Sequence, residues 1–354
     1  MSRLRVGAIG AGAWTVTSHL PNLRKRADDL EFVGVCRKGP EELARVKDRF
    51  GFEVASEDYR DVLDAGVDLV IVASPTGLHH EHATAAMEAG AHVLVEKPFT
   101  IDPADAWDLV ATAERLDRHL VVSYGWNHLP MIAAFKAMVD EHGIGEVEHL
   151  MIHMGSTTRE LLSNTGSYPQ ADPDAVPEPA TWVDPQLSGG GYAQAQLTHA
   201  LGIALWVTGL RGAKVFAMMS SPLDAPVELH DAISVRYGNG AIGTVSGGSA
   251  YVGANDNKNQ LELRAIGSAG QFHLDVERER GWLWRPDGTE VDLPLAPGDG
   301  DYDCDGPPLA LVELVLGERT DNPSPGELGA RTVEILAAAY RSAASGRVEP
   351  VEAR

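Results

Sequence analysis

Residues Leu4–Thr15 read LRVGAIGAGAWT. A short apolar strand runs straight into Gly10-Ala11-Gly12, and a helix begins just after it. Glycines at such a junction let the chain turn tightly and let backbone N–H groups approach an anion at the helix start. The third glycine position of the dinucleotide fingerprint holds Thr15, so the turn by itself is a weak signal. The chain behind it strengthens the reading. LEFVGVC, VDLVIVAS, HVLVEKP and HLVVSYG are further apolar runs, separated by helical segments such as PEELARVKDRFG, HHEHATAAMEAG and PADAWDLVATAERLD. Apolar strands without polar alternation, spaced by helices, form a parallel sheet covered on both faces. The pattern predicts a doubly wound α/β domain over residues 1–123, with Gly10, Gly12, Ala13 and Trp14 at a nucleotide-binding turn.

Beyond Ser123 the character changes. MIAAFKAMVDEHG is helical. EVEHLMIHMG, KVFAMMSS, DAISVRYGNGAIGTVSGGSAY, NQLELRAIGSAGQFHLDV and GWLWRPDGTEVDLP read as strands joined by turns such as Gly238-Asn239-Gly240 and Pro286-Asp287-Gly288. They predict a second, α+β domain over residues 124–354, with one antiparallel sheet and helices on one face. Residues 155–188 are rich in Ser, Thr, Pro and Asp and have no period. A loop that long in a compact domain is usually functional. The amphipathic segment at about residues 325–345 predicts a last helix packed back on the core.

A chain of 354 residues is long enough for two domains and a substantial core. Its 51 acidic and 29 basic residues give a net charge of −22, the wrong sign for a nucleic-acid or anionic-membrane surface. Cys36 and Cys304 lie too far apart to suggest a disulfide framework or a zinc knuckle. No apolar run approaches the roughly 18 residues of a membrane span. The opening MSRLRVGAIGAG enters the first strand without a leader pattern. A cytoplasmic protein is expected.

Four motifs carry the chemistry. At the end of the second strand an NAD site places an Asp or Glu for the ribose hydroxyls. Here the residues are Val35-Cys36-Arg37-Lys38, so two cations stand where a 2′-phosphate would sit. NADP(H) is therefore preferred, with NAD(H) possible. Ser74-Pro75-Thr76 turns at the carboxyl edge of the sheet, where ligands bind in this architecture. His79 follows at the helix start. His79, His80 and His82 lack the partners of a metal site, and no metal is expected. Glu96-Lys97-Pro98 ends the fourth strand. Proline holds the preceding residue extended, which projects Lys97 into the cleft. A lysine in a dry pocket loses its proton easily and hydrogen-bonds a substrate oxygen. Finally, Gly189–Gly209, GGGYAQAQLTHALGIALWVTG, is an apolar helix carrying one imidazole, His199, with Gln196 three residues earlier.

Together GAGAW, ASPTGLHHEHATAAMEAGAHVLVEKP, GWNHLP, the SGGG…H…LWVTG helix and AAAYRSAASG resemble the glucose-fructose oxidoreductase / inositol dehydrogenase / MocA (Gfo/Idh/MocA) family over essentially the whole chain. The resemblance implies a Rossmann domain followed by an α+β domain with a large open, mainly antiparallel sheet. It implies nicotinamide-dependent redox chemistry on sugars or cyclitols, and a homodimer or homotetramer formed through the open sheet. Lys97 is then the catalytic lysine, Glu96 supports the nicotinamide side, and Ser74, Pro75, Thr76 and His79 line the cofactor. His199 matches the family histidine. Asp usually stands at the positions of Ala195 and Gly202, so the carboxylates are missing here. Tyr124, Trp126, Asn127 and His128 match a substrate-facing segment, and Tyr168 and Trp182 in the long loop are candidates to close over substrate.

The reading is an NAD(P)-dependent oxidoreductase acting on a ring secondary alcohol of a sugar, glycoside or cyclitol. Lys97 polarises the oxygen. His199 shuttles the proton, or a neutral Lys97 is the base, with Gln196 as an orienting or substrate-binding group. Two alternatives stay open: a redox-recycling enzyme whose transient oxidation enables elimination or exchange, and a nucleotide- and sugar-sensing regulator that has lost the chemistry.

Overall fold

The computed structural model describes residues 3–167, 177–251, 259–302 and 304–352. Strands β1 (Leu4–Ile9), β2 (Leu30–Cys36), β3 (Val54–Ser56), β4 (Leu69–Val72), β5 (His92–Val95) and β6 (Leu120–Val122) pair in parallel, in the order β3-β2-β1-β4-β5-β6. The order reverses between β1 and β4, which opens a crevice at their carboxyl ends. Five of these strands are the apolar runs of the sequence. The sixth, β3, is a three-residue edge strand with no fully buried side chain, so no apolar run announces it.

One face of this sheet is covered from far along the chain. Leu311, Val312 and Leu314, on the helix Gly306–Leu316, pack with Val6, Ile71, Leu94 and Val121. The helix Gly326–Ser345 lies between the two sheets. Its Glu334 accepts from Trp107 Nε1 at 2.7 Å, and its Ser342 Oγ accepts from the Ala217 N–H at 2.9 Å.

The second sheet holds β7 (Val147–Ser156), β8 (Gly212–Ser220), β9 (His230–Tyr237), β10 (Ile242–Ser249), β11 (Gln260–Gly267), β12 (Gly270–Asp275), β13 (Arg280–Trp284), β14 (Glu290–Asp292) and β15 (Glu349–Pro350). The order is β14-β13-β12-β11-β7-β10-β9-β8-β15, antiparallel except for the β10–β7 pair. Leu150, Ile152, Ile233, Val235, Leu261, Leu263, Phe272 and Leu274 bury one face under the helices. Phe216, Met218, Ile242, Ile266 and Trp284 alternate with such positions and stay exposed, leaving the other face open.

Against the buried face lies the helix Thr198–Thr208, apolar nearly all round and correspondingly interior. A π-helical turn, Ala193–Leu197, leads into it.

Candidate active site

The first glycine turn closes the crevice from one side. Gly10 has φ 84°, and a Cβ there would stand 2.2 Å from the Ser74 nitrogen. The exits of β1 and β4 therefore touch at a point only glycine fits. Gly12 differs, because a Cβ on it would meet nothing closer than 4.0 Å. Its space opens away from the protein, as a backbone cradle for a phosphate requires. Ala13 and Trp14 head the helix behind it. Arg37 lies across this turn, with Nη1 donating to the Ala11 carbonyl at 3.2 Å. Lys38 leans away and donates to the Glu57 carbonyl at 3.0 Å. These residues fit a dinucleotide.

His79 sits deeper than expected. One ring nitrogen lies 2.7 Å from the Ser74 carbonyl and the other 3.0 Å from that of Pro98. It is 1% exposed, so it fastens the Ser74-Pro75-Thr76 turn to the end of β5 and does not line the crevice. Glu96 is similarly interior. It contacts His19 Nε2 at 2.7 Å, while its other oxygen accepts the Lys97 backbone N–H at 3.0 Å. Burial alone would raise this carboxyl, but His19 and its other donors outweigh burial and hold it below the usual carboxylate value.

Lys97 projects toward the π-helical turn, and its Nζ donates to the Ala195 carbonyl at 3.1 Å. The Trp182 ring lies 6.0 Å from the same nitrogen. Burial lowers the proton affinity of Lys97, opposed by Glu96 and by Cys304. His199, 3% exposed, stands one turn beyond Ala195. Burial, with Lys97 nearby, pushes its pKa well below the ordinary histidine value, so the imidazole is neutral. The site thus holds the Lys97 amine on the Ala195 carbonyl, with a neutral imidazole one turn further along the helix. The expected hydrogen bond from Gln196 to His199 is not found. Nδ1 of His199 has no partner among the described residues, and the ring is instead held edge-on by Tyr124 and Tyr302 at 6.2 and 6.1 Å. Gln196 itself is buried in the π-helical turn.

The GWNHLP segment divides. Tyr124 is fully buried, its hydroxyl shared with Thr198 and Thr332 at 3.0 and 2.5 Å. Asn127 donates to the Pro323 carbonyl at 3.0 Å. His128 bonds Ser324 Oγ at 2.8 Å, and burial pushes its pKa down to about 3. The Tyr124 hydroxyl, the Asn127 amide nitrogen and His128 Nε2 pin the exit of β6 to neighbouring backbone and helices, while Asn127 Oδ1 and His128 Nδ1 are buried without a partner among the described residues. Trp126 stacks on Tyr302 at 4.5 Å and 21°, and the Tyr124 ring meets His199 edge-on. Tyr168 lies outside the described residues.

Three residues near the site have no sequence signal. Tyr302 stacks on Trp126, runs nearly parallel to Trp14 at 6.5 Å and meets His199 edge-on. It belongs to PGDGDYDCDGPP, a stretch without periodicity. Cys304, in the same stretch, acts on the Lys97 charge, and His19 closes a π-helical turn that no sequence motif marks. The missing second aspartate has a steric reason, since a Cβ at Gly202 would already stand 3.1 Å from the Tyr124 ring. Among the described residues, no group of three or more His, Cys, Asp or Glu side chains could hold a metal ion, and no helix is long and apolar enough to cross a membrane.

A glycine turn at the strand-order reversal of a parallel sheet is the arrangement of a dinucleotide-binding fold. Residues 4–124 match the oxidoreductase family with the NAD-binding Rossmann fold, and residues 132–273 match the Gfo/Idh/MocA C-terminal domain. The chain belongs to the Gfo/Idh/MocA family. It is 27% identical to a levoglucosan dehydrogenase from Pseudarthrobacter phenanthrenivorans over 275 residues, 69% of this chain and 65% of the relative. It is 26% identical to a myo-inositol 2-dehydrogenase from Thermotoga maritima over 282 residues, 78% of this chain and 76% of the relative. A levoglucosan dehydrogenase solved with NADH superposes with a TM-score of 0.79 at 21% identity, covering both chains fully. That likeness is one of fold.

Proposed function

We propose that this protein is an NAD(P)-dependent oxidoreductase that interconverts a ring secondary alcohol and its ketone in a sugar, glycoside or cyclitol. The observation that carries the reading is the Lys97 ammonium held on the Ala195 carbonyl, with the neutral His199 one turn further along the same helix and close enough to feel the Lys97 charge. The names of the relatives, a levoglucosan dehydrogenase and a myo-inositol dehydrogenase, support the substrate class.

When bound, the nicotinamide supplies the hydride acceptor or donor. Gly10, Gly12, Ala13, Trp14 and Arg37 would hold the dinucleotide, with Ser74, Pro75 and Thr76 at the rim. Lys97 donates a hydrogen bond to the reacting oxygen and stabilises its developing negative charge. His199, neutral and within the same cleft, takes the hydroxyl proton in oxidation and returns it in reduction. Trp126 and Tyr302 form an aromatic wall suited to the apolar face of a ring, with Trp182 on the Lys97 side. Burial of His199 keeps water from competing for the same proton.

Arg37 and the absence of a carboxylate after β2 support a preference for NADP(H) over NAD(H). The exposed apolar side chains of the second sheet support a homo-oligomer formed across that face. Two cysteines in 354 residues fit a reducing, cytoplasmic setting.

The test is a fluorescence titration with NADPH, NADH and their oxidised forms, in wild type and Arg37→Ala, followed by a sugar and cyclitol panel read at the nicotinamide absorbance. Tight NADP(H) binding, weakened mainly in Arg37→Ala, is the expected result. Equal or tighter NAD(H) binding overturns the phosphate reading. Binding of neither cofactor overturns the redox reading.

A further inference from the structure

His19 is fully buried, and the chemistry above does not use it. It closes the π-helical turn Thr15–His19, directly after Trp14. Such turns recur at functional sites because they open the regular ladder and re-aim a side chain. Here the imidazole reaches Glu96, with Nε2 2.7 Å from Oε1. The far oxygen of Glu96 accepts the backbone N–H of Lys97 at 3.0 Å, and the Ser123 hydroxyl donates as well. The start of the turn is tied to the glycine cradle. Thr15 Oγ1 donates to the Gly10 carbonyl at 3.0 Å, and the Val16 N–H to the Gly12 carbonyl at 3.1 Å. A continuous path of hydrogen bonds and covalent chain therefore runs from the cradle through His19 and Glu96 to Lys97.

A buried carboxylate keeps its charge only while donors surround it. His19 is the only side chain from the cradle helix found among the Glu96 donors. Its Nδ1 is buried without a partner among the described residues, so the Nε2 contact has to offset that loss. The other titratable groups near this pair are His79 on the helix His79–Glu88, Cys304 ahead of the helix Gly306–Leu316, and His199. The His79 ring is engaged by the Ser74 and Pro98 carbonyls, Cys304 acts on the Lys97 ammonium, and His199 is itself lowered by Lys97.

We propose that His19 is a positioning residue: it holds Glu96 as a carboxylate and through it sets the placement and the positive charge of Lys97. The proposal rests on the reading of Lys97 as the catalytic lysine, but its test does not need turnover. Protein carrying lysine labelled with ¹³C at Cε is titrated by NMR, and the Lys97 signal is assigned by its loss in Lys97→Met. Wild type, His19→Gln and His19→Leu are compared, with His19→Asn replacing His19→Leu if the latter does not fold. In His19→Leu, Glu96 takes up a proton and the Lys97 midpoint falls by about one pH unit. In His19→Gln, whose amide N–H can still donate, the midpoint returns most of the way. An unmoved midpoint in every folded His19 variant overturns the proposal. Activity of Lys97→Met on the sugar panel is a separate matter: a wild-type rate there would overturn the catalytic reading and leave the titration standing.

Discussion

Lys97 Nζ donates a 3.1 Å hydrogen bond to the backbone carbonyl of Ala195. At this position a peptide oxygen holds the ammonium, and the alanine side chain adds no charge. The consequence is a site in which neither Lys97 nor His199 has a carboxylate on the site helix to steady its proton. His199 is buried and Lys97 is half-buried, and desolvation shifts both proton affinities downward.

The pH profile should carry that signature. An ordinary histidine is half protonated near pH 6.5, and a proton on His199 would block its role as acceptor. Because His199 is held well below that value, the oxidation rate should continue undiminished below pH 6.5. His199→Gln should lower kcat by about 10² to 10⁴ across the profile. Steady-state rates between pH 5 and 9 check both points. A His199-dependent drop centred at 6.5 would show that the pocket is wet.

Gly125 leaves the room that Tyr302 uses. A Cβ at residue 125 would stand 2.4 Å from the Tyr302 hydroxyl, at the tip of a side chain that can swing away. Gly125→Ala should therefore displace Tyr302 from Trp126 and weaken ring substrates as Tyr302→Ala does. The expected rise in KM is about fivefold, matching roughly 1 kcal/mol of aromatic contact. Thermal stability should change little. KM values for a cyclic substrate in both variants, beside wild type, provide the check.

Asp231 is a buried carboxyl, 5% exposed, with no hydrogen-bond partner for either oxygen among the described residues. Burial, with Glu228 nearby, pushes its pKa up to about 8. In the unfolded chain it ionises near pH 4. Between about pH 4 and 8 the native state thus holds a proton that the unfolded state has lost, and stability falls as pH rises. Asp231→Asn removes this linkage. It should stabilise the protein at pH 8 by on the order of 1 kcal/mol or more, with the gain shrinking toward pH 4. Urea unfolding of both proteins at pH 5 and pH 8 measures it. A gain that is equal at both values, or a loss at pH 8, would contradict the assignment.

The open face of the second sheet exposes Met218 at 64% and Phe216 at 37%, both on β8. If copies meet across this face, Met218→Glu with Phe216→Lys should shift the sedimentation profile toward monomer at unchanged circular dichroism. Oligomers that survive the double substitution would place the interface elsewhere.

Much of this molecule was legible in its sequence, for local reasons. The apolar runs of β1, β2, β4, β5 and β6 are buried on both faces, so composition alone marks them. The glycines and the lysine before proline sit at strand ends whose backbone chemistry is written in neighbouring residues. By contrast, β3 has too few apolar contacts to show. Tyr124, Asn127 and His128 read as substrate contacts because polar and aromatic residues near a cleft look alike in sequence, whether they face solvent or find partners inside.

By itself, then, the sequence determined the alternation of elements, the nucleotide turn and the identity of Lys97 and His199 as the groups to watch, because each depends on residues adjacent in the chain. Only the tertiary structure decided which atoms meet. His19 reaches Glu96 across 77 residues, Lys97 reaches Ala195 across 98, and Tyr302 comes back from the far end of the second sheet to stack on Trp126. Contacts of that span follow from how the two sheets and the helices between them pack, and no local pattern of residues encodes them.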